Sequence, residues 1–374
     1  MKVLLSQRPK TLFLVAGARP NFIKIAPVAR ALDKHRDTLG YKIIHTQQHY
    51  DYEMSDVFFE ELGIRPPDYS LGAGSGSHAE QTAKIMIGFE SLCQKDRPDL
   101  VIVVGDVNST LACSVTARKL HIPVAHIEAG LRSRDMSMPE EINRIVTDAI
   151  SDYFFVTERS GVDNLIVEGK PREQIFFVGH VMIDNLMYQL GKLNKNTGST
   201  FSTASLKKEL PHYGVVTLHR PSNVDDQATL EGIAHALSKL SKDLPLVFPI
   251  HPRTKKNLEV FSISLNGGVA MTDPLSYMEF LNLWKDATMV LTDSGGIQEE
   301  TTALGIPCLT LRDNTERPIT VSEGTNIVVG NSPTRILKEA KKILEGKVKE
   351  GRSPELWDGK ASERIVEVLK QKLA

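Results

Sequence analysis

The feature that most constrains this chain is a recurring handover. Short, continuous runs of branched and aromatic residues are each followed at once by a helical pattern. Thr11-Leu12-Phe13-Leu14-Val15-Ala16 precedes a helix expected near residues 20 to 34. Leu100-Val101-Ile102-Val103-Val104 precedes another near 109 to 119. Pro123 to Ile127, Tyr153 to Val156 and Ile175 to Val178 repeat the run, as do 215 to 218, 245 to 250, 288 to 291 and 308 to 311. A strand that is apolar at every position is buried on both faces, which calls for a parallel sheet with helices on either side. At 374 residues the chain exceeds one ordinary core. The expectation is therefore α/β with two Rossmann-like doubly wound domains facing a cleft. The polar stretch "GKLNKNTGSTFSTASLKKELPH" (191 to 212) marks the neighbourhood of their junction.

Composition excludes several classes. With 45 basic and 46 acidic side chains there is no electrostatic footprint for nucleic acid or an anionic membrane. No apolar stretch approaches the ~18 residues that a membrane span requires. The N-terminal hydrophobic run is broken by Arg8-Pro9-Lys10 and reads as a first strand, not a signal peptide. Cys93, Cys113 and Cys308 have neither disulfide nor metal spacing and read as reduced packing residues of a cytoplasmic protein.

In doubly wound sheets, ligands sit at the carboxyl ends of the strands, so the loops there carry the candidates. "GARPNFIKIAP" offers Arg19, whose planar fork suits phosphate, and Lys24 one turn into the helix that Pro20 opens. Solvated cations on a capped helix would explain both equally. "VVGDVNST" places Asp106 just past a strand, with Asn108 or Ser109 as helix cap. "HIEAGLRS" places Glu128 past the next strand, and "MPEEINR" puts Glu140 and Glu141 in a helix's first turn. A carboxylate near a helix N-terminus is favoured by ~0.3–1 kcal/mol without any catalytic role. Glu128 has no such explanation. The second half adds His219 and Arg220, then His251 and Arg253, then Arg312, Glu316 and Arg317. In "LTDSGGIQEE", Ser294, Gly295 and Gly296 can present backbone N–H groups to a phosphate at a helix start, with Glu300 one turn on to accept from ribose hydroxyls. No G-x-G-x-x-G or Walker pattern competes.

Taken in order, "GARPNFIKIAPV", "QQHYD", "GSGSHAEQTAKIM", "GDVNST", "HIEAGLRS", "PEEINRIVTDAISD", "GHVMIDNL", "LTDSGGIQEE", "TERPITVSEGT" and "DGKASERI" resemble the non-hydrolysing UDP-N-acetylglucosamine 2-epimerase family. The resemblance runs from about residue 11 to the C-terminus. It implies the architecture of B-type nucleotide-sugar glycosyltransferases. An N-terminal domain (1-180) would carry the acid/base carboxylates, a C-terminal domain (181-360) would bind UDP, and a last helix (about 361-374) would pack back on the first. Carried over by position, Arg19, Lys24, Asp106, Glu128, Glu140 and His219 fall on catalytic positions. Ser294, Gly295, Gly296 and Glu300 fall on UDP-binding positions. Arg19, His219, Arg144 and Arg317 are expected to contact UDP as well.

The implied activity is reversible C2 epimerisation of UDP-N-acetylglucosamine to UDP-N-acetylmannosamine through loss and re-addition of UDP, feeding surface-polysaccharide synthesis. A UDP-amino sugar is the implied substrate and a homodimer the implied assembly, with no cofactor or metal. A glycosyltransferase of the same fold, or an epimerase acting on a modified UDP-amino sugar, is the alternative. Three departures from the commonest pattern bear on the sugar: Asn21 in place of Glu, Pro221-Ser222-Asn223 after His219-Arg220, and Val104 in place of His. Some relatives bind a second substrate molecule near the position of His49 and the Gly-rich loop.

Overall fold

A computed structural model describes residues 8–48, 56–195 and 201–374. His49 and most of the "QQHYD" block lie outside the described residues. The chain divides into two compact units, Met1–Asn185 with Glu355–Ala374, and Leu186–Pro354.

The first unit holds a seven-stranded sheet built from β1 (Lys10–Ala16), β2 (Leu39–His45), β3 (Tyr69–Ser70), β4 (Leu100–Val104), β5 (Val124–Ile127), β6 (Tyr153–Val156) and β7 (Ile175–Phe177), in the order β3-β2-β1-β4-β5-β6-β7. Every pairing is parallel. Alternation along β1 shows why its sequence is apolar throughout. Leu12 and Leu14 enter one core with Ile25 and Val28 of the helix Arg19–Leu32 and with Ile365, Val366 and Leu369 of the helix Ala361–Leu373. Phe13 and Val15 enter the opposite core, against Ile85 and Phe89 of His78–Lys95 and Cys113 and Ala117 of Asn108–Lys119. Both faces of the strand are therefore covered.

The second unit repeats the plan with six parallel strands: β8 (Gly214–Thr217), β9 (Leu246–Pro249), β10 (Val269–Thr272), β11 (Met289–Thr292), β12 (Cys308–Thr310) and β13 (Asn326–Val328), in the order β10-β9-β8-β11-β12-β13. Val216, Phe248, Leu291 and Leu309 pack against the helices Gln227–Leu240 and Pro333–Leu344.

The strand order reverses between β1 and β4 in the first sheet and between β8 and β11 in the second. These are the topological switch points, where diverging loops leave an opening at the carboxyl end of the sheet.

A division expected between residues 180 and 181 is observed between Asn185 and Leu186, inside the unbroken helix Val181–Lys195. Its first turn is tied to the C-terminal segment. The Asp184 carboxylate accepts from the Ala361 amide at 3.0 Å and from the Ser362 amide and hydroxyl at 2.6 Å each. The polar stretch after residue 200 forms a further helix, Ser202–Glu209.

Candidate active site

At the first switch point, β1 runs into Gly17-Ala18 and then into the helix Arg19–Leu32, with Pro20 in its first turn. Asn21 closes this corner. Its Oδ1 accepts from the Gly17 and Ala18 amides at 3.2 and 3.0 Å, and its Nδ2 donates to the Val104 carbonyl at 3.2 Å. A glutamate has no donor for that last bond, so the departure from the family pattern joins β1 to β4 through an amide. Arg19 lays its guanidinium over the Phe58 ring, 5.0 Å from the centroid. Lys24, one turn further, places Nζ 2.6 Å from Glu128 Oε2, both largely buried.

Glu128 follows β5 with φ +71°, left-handed for a non-glycine residue. That conformation persists only where neighbours over-determine it. Gly105, at the end of β4, supplies room for the ion pair. A Cβ there would sit 3.3 Å from Lys24 Nζ and 3.5 Å from Glu128 Oε2, at φ +68°.

Asp106 comes next, about one-third exposed, with Arg144 Nη1 3.6 Å from Oδ2. Its backbone carbonyl accepts from Asn143 Nδ2 at 2.8 Å. The cap of Asn108–Lys119 is Val107, not Asn108 or Ser109; both of those polar side chains are drawn into bonds with Gln81 and Gln48 instead. Within the helix Pro139–Ile150, the two adjacent glutamates separate by role. Glu141 is buried, accepts from the Ser133 and Arg134 amides and pairs with Arg144 Nε at 3.2 Å. Burial pushes its carboxyl up, but those amides and Arg144 hold it below the usual range. Glu140 is exposed, one turn before Arg144.

The second switch point is organised by Asp293, fully buried after β11. It accepts from the amides of His219 at 3.0 Å and Arg220 at 2.9 Å, from Asn223 Nδ2 at 3.2 Å, and lies 2.9 Å from His219 Nδ1. Burial raises this carboxyl, and His219 with the two amides more than offsets it, so it sits below the ordinary value. Asp293 thus faces inward to clamp the β8 loop and is not itself offered to a ligand. Pro221-Ser222-Asn223 has a structural use here, since Asn223 also donates to the Leu311 carbonyl at 2.7 Å. His219 remains half-exposed with its ring 6.0 Å from that of His251. Burial, then the charge on His219 and on Arg253, lowers the His251 pKa.

Ser294 occupies the N-cap position of the helix Gly295–Leu304, with no capping bond from its side chain. A Cβ on Gly296 would meet nothing within 4 Å, and one on Gly295 only Glu316 Oε2 at 3.8 Å. The side-chain positions of this first turn therefore border open space, and its amides have no partner within the helix. Glu300 is buried and accepts from the Tyr277 hydroxyl at 2.7 Å. Burial, then Glu300, raises the Tyr277 pKa well above its ordinary value. Arg317 Nε meets the neighbouring acid, Glu299, at 2.7 Å.

Among the expected residues, then, Lys24 meets Glu128, Asp106 nears Arg144, and His219 adjoins the Ser294 loop through Asp293. Glu299 holds Arg317 and Tyr277 holds Glu300, roles that could not be read from the sequence because the partners are distant along the chain. A cavity of 780 Å³ lined by Leu258, Ile263, Leu265 and Met271 lies at the β10 edge and contains none of these residues. Among the described residues no three His, Cys, Asp or Glu side chains gather as a metal set, and no helix is long and apolar enough to cross a membrane.

Residues 30–370 match the family model described as UDP-N-acetylglucosamine 2-epimerase. The chain belongs to the UDP-N-acetylglucosamine 2-epimerase family. A Methanocaldococcus jannaschii UDP-N-acetylglucosamine 2-epimerase is 43% identical over 366 residues, covering 96% of this chain and 98% of the relative. The crystal structure of the enzyme from that organism, in complex with UDP-GlcNAc and UDP, superposes with a TM-score of 0.82 at 42% identity, over 96% of this chain and 99% of that one. A relative named for another sugar is nearly as similar. The UDP-2,3-diacetamido-2,3-dideoxy-D-glucuronate 2-epimerase of Pseudomonas aeruginosa is 41% identical over 358 residues, 95% of this chain and 98% of the relative. The chain is accordingly an epimerase.

Proposed function

We propose that this epimerase inverts C2 of UDP-N-acetylglucosamine, giving UDP-N-acetylmannosamine, by eliminating UDP and adding it back. The observation that carries the reading is the division of labour between the two switch points. One gathers carboxylates and cations. The other presents helix-start amides beside a histidine held by a buried aspartate.

The chemistry needs both. The C2–H bond of an intact amino sugar is not acidic. As the C1–O bond to UDP breaks, C1 gains oxocarbenium character and the C2 proton becomes removable, leaving a 2-acetamidoglucal and UDP. Adding a proton to the opposite face and rejoining UDP at C1 completes the inversion. Arg19, His219 and the Ser294-Gly295-Gly296 amides are assigned to the leaving diphosphate, where one well-placed donor is typically worth 10²–10³ in rate. Glu300, with Arg144 and Arg317 among the further UDP contacts, is assigned to the nucleotide. Asp106, Glu128 and Glu140 are assigned to proton transfer at the two faces of C2, with Lys24 paired to Glu128 at 2.6 Å.

The same reading takes the enzyme to be cytoplasmic, in line with its three free cysteines, and a homodimer, as the family resemblance implies. A modified sugar is the second reading, favoured by the 41% identity to the diacetamido-glucuronate epimerase. Proton NMR of the enzyme with UDP-N-acetylglucosamine in D₂O tests both. UDP-N-acetylmannosamine carrying deuterium at C2 is expected. An unchanged spectrum with this sugar, and C2 exchange with the diacetamido-uronate, would move the assignment to the second.

A further inference from the structure

β5 is buried at every position, yet its third residue is a histidine with no exposed surface. A polar ring in such a place is tolerated only when both nitrogens are satisfied. His126 Nε2 lies 2.9 Å from the Gly105 carbonyl oxygen, and Nδ1 lies 2.7 Å from Asp148 Oδ1. The carbonyl can only accept, so Nε2 carries a hydrogen. The second carboxylate oxygen of Asp148 accepts from the Gly130 amide at 3.0 Å and from Arg132 Nη1 at 2.8 Å. Burial raises the Asp148 carboxyl, and His126, Arg132 and the Gly130 amide together bring it below its ordinary value. An ionised carboxylate also only accepts, so Nδ1 carries a hydrogen too. A ring that donates from both nitrogens is an imidazolium.

We propose that His126 is a positioning residue of this epimerase, a buried imidazolium that locks together the two loops and the helix carrying the proton-transfer carboxylates. Through the Gly105 carbonyl it fixes the left-handed corner from which Asp106 leaves β4. Through Asp148 it fixes the helix Pro139–Ile150, which carries Glu140 and Arg144. It stands two residues before Glu128 on its own strand, and the same Asp148 carboxylate holds the Gly130 amide two residues beyond Glu128. Gly105, Glu128 and Gly130 all have positive φ, at +68°, +71° and +79°. Gly130 cannot be replaced without movement, since a Cβ would fall 2.3 Å from the Gly161 carbonyl oxygen. Three left-handed residues around one cation form a corner that a neutral ring would hold at one end only. The charged groups facing His126 are Asp148 from the helix and, across that carboxylate, Arg132 from the loop after β5. Arg132 is itself paired with Glu168 at 2.6 Å. From β4 it meets a carbonyl, and its partner on β6 is Phe154.

The proposal rests on the assignment of Asp106, Glu128 and Glu140 to proton transfer, and the test keeps the two apart. The full chain is labelled with [¹⁵N]histidine, and the His126 ring is identified by its loss from the spectrum of His126→Gln. At the pH of the exchange assay both nitrogens are expected to carry protons, as the two acceptors facing them require. A bare nitrogen there overturns the proposal. In C2 deuterium exchange, His126→Gln is expected to lose about a hundredfold in kcat, the scale of a 1 Å misplacement. Its KM and its affinity for UDP should change much less than kcat does. A wild-type kcat in a variant that binds UDP normally also overturns it. Should His126→Gln fail to fold, Asp148→Asn removes the anion at constant size and is expected to show the same split between kcat and KM; normal kcat in that variant counts against the proposal. An imidazolium in an enzyme that exchanges no C2 proton on any UDP-amino sugar would instead sink the assignment of the carboxylates.

Discussion

Asn21 and Asp293 show how single polar atoms shape this site. Asn21 uses both ends of its amide, accepting from two backbone amides and donating to the Val104 carbonyl. Asn21→Asp keeps the acceptor and sets a carboxylate against that carbonyl. The expected cost is about 1–3 kcal/mol, the range for an unsatisfied buried group, read as a lower urea midpoint. Asp293 carries a pH signature. Its folded carboxyl is depressed, so its contribution to stability is complete above the unfolded value of about 3.9 and is lost as pH falls through the folded one. Relative to Asp293→Asn, the wild type should be more stable by a constant margin above about pH 5, with that margin shrinking as acidification proceeds. Urea midpoints measured across that range check it, and a margin that grows on acidification would reverse the sign. The partner of each such residue lies far along the chain: Asp293 sits 74 residues from His219, and His126 sits 22 from Asp148. For that reason "DSGG" could be read as a nucleotide handle from sequence, but the inward turn of its aspartate could not.

The elements were legible where an unbroken apolar run spans the strand: β7 was read though partly exposed, and β2, interrupted by Gly40 and Lys42, was not. β4, β5 and β6 are covered throughout or nearly so, and their unbroken apolar runs mark them as strands within a residue of the observed bounds. β3 has two residues and β13 three, and β10, at the sheet edge, buries only Val269 and exposes Met271, so none presents a run long enough to stand out. Loop chemistry followed the same logic, because an acid directly after an apolar run is conspicuous. The helix Gly295–Leu304 gives the prediction proper to this scale. Gly296 lies in its first turn without positive φ, and its missing Cβ faces open space. Gly296→Ala should therefore stabilise the fold by up to about 1 kcal/mol through helix propensity. It should also weaken UDP binding about tenfold or more by crowding the amides assigned to the diphosphate. Calorimetric titration with UDP beside a urea melt would show the two effects with opposite signs. Tighter or unchanged UDP binding would remove the helix start from the site.

At the scale of the whole chain, the first unit is assembled from two ends of the sequence. The helix Ala361–Leu373 contributes Ala361, Ile365, Val366 and Leu369, all at or near zero exposure, to the core that also contains Ile25 and Leu32. Its amino end is held by Asp184, whose carboxylate takes three hydrogen bonds there. The unit carrying Lys24, Asp106 and Glu128 is thus completed by the final residues, whereas the second unit closes its own core without them. Leu369→Ala removes a fully buried side chain and is expected to cost about 2–5 kcal/mol. Because the loss falls in one unit, unfolding should cease to be a single transition: hydrogen exchange in β1 and β4 should accelerate while amides of β8 and β11 keep their protection. C2 exchange should fall at temperatures where UDP still binds, since the amides assigned to the diphosphate sit in the unit left intact. Equal acceleration in both sheets would mean that the two units unfold as one, and the C-terminal helix would then stabilise the entire chain.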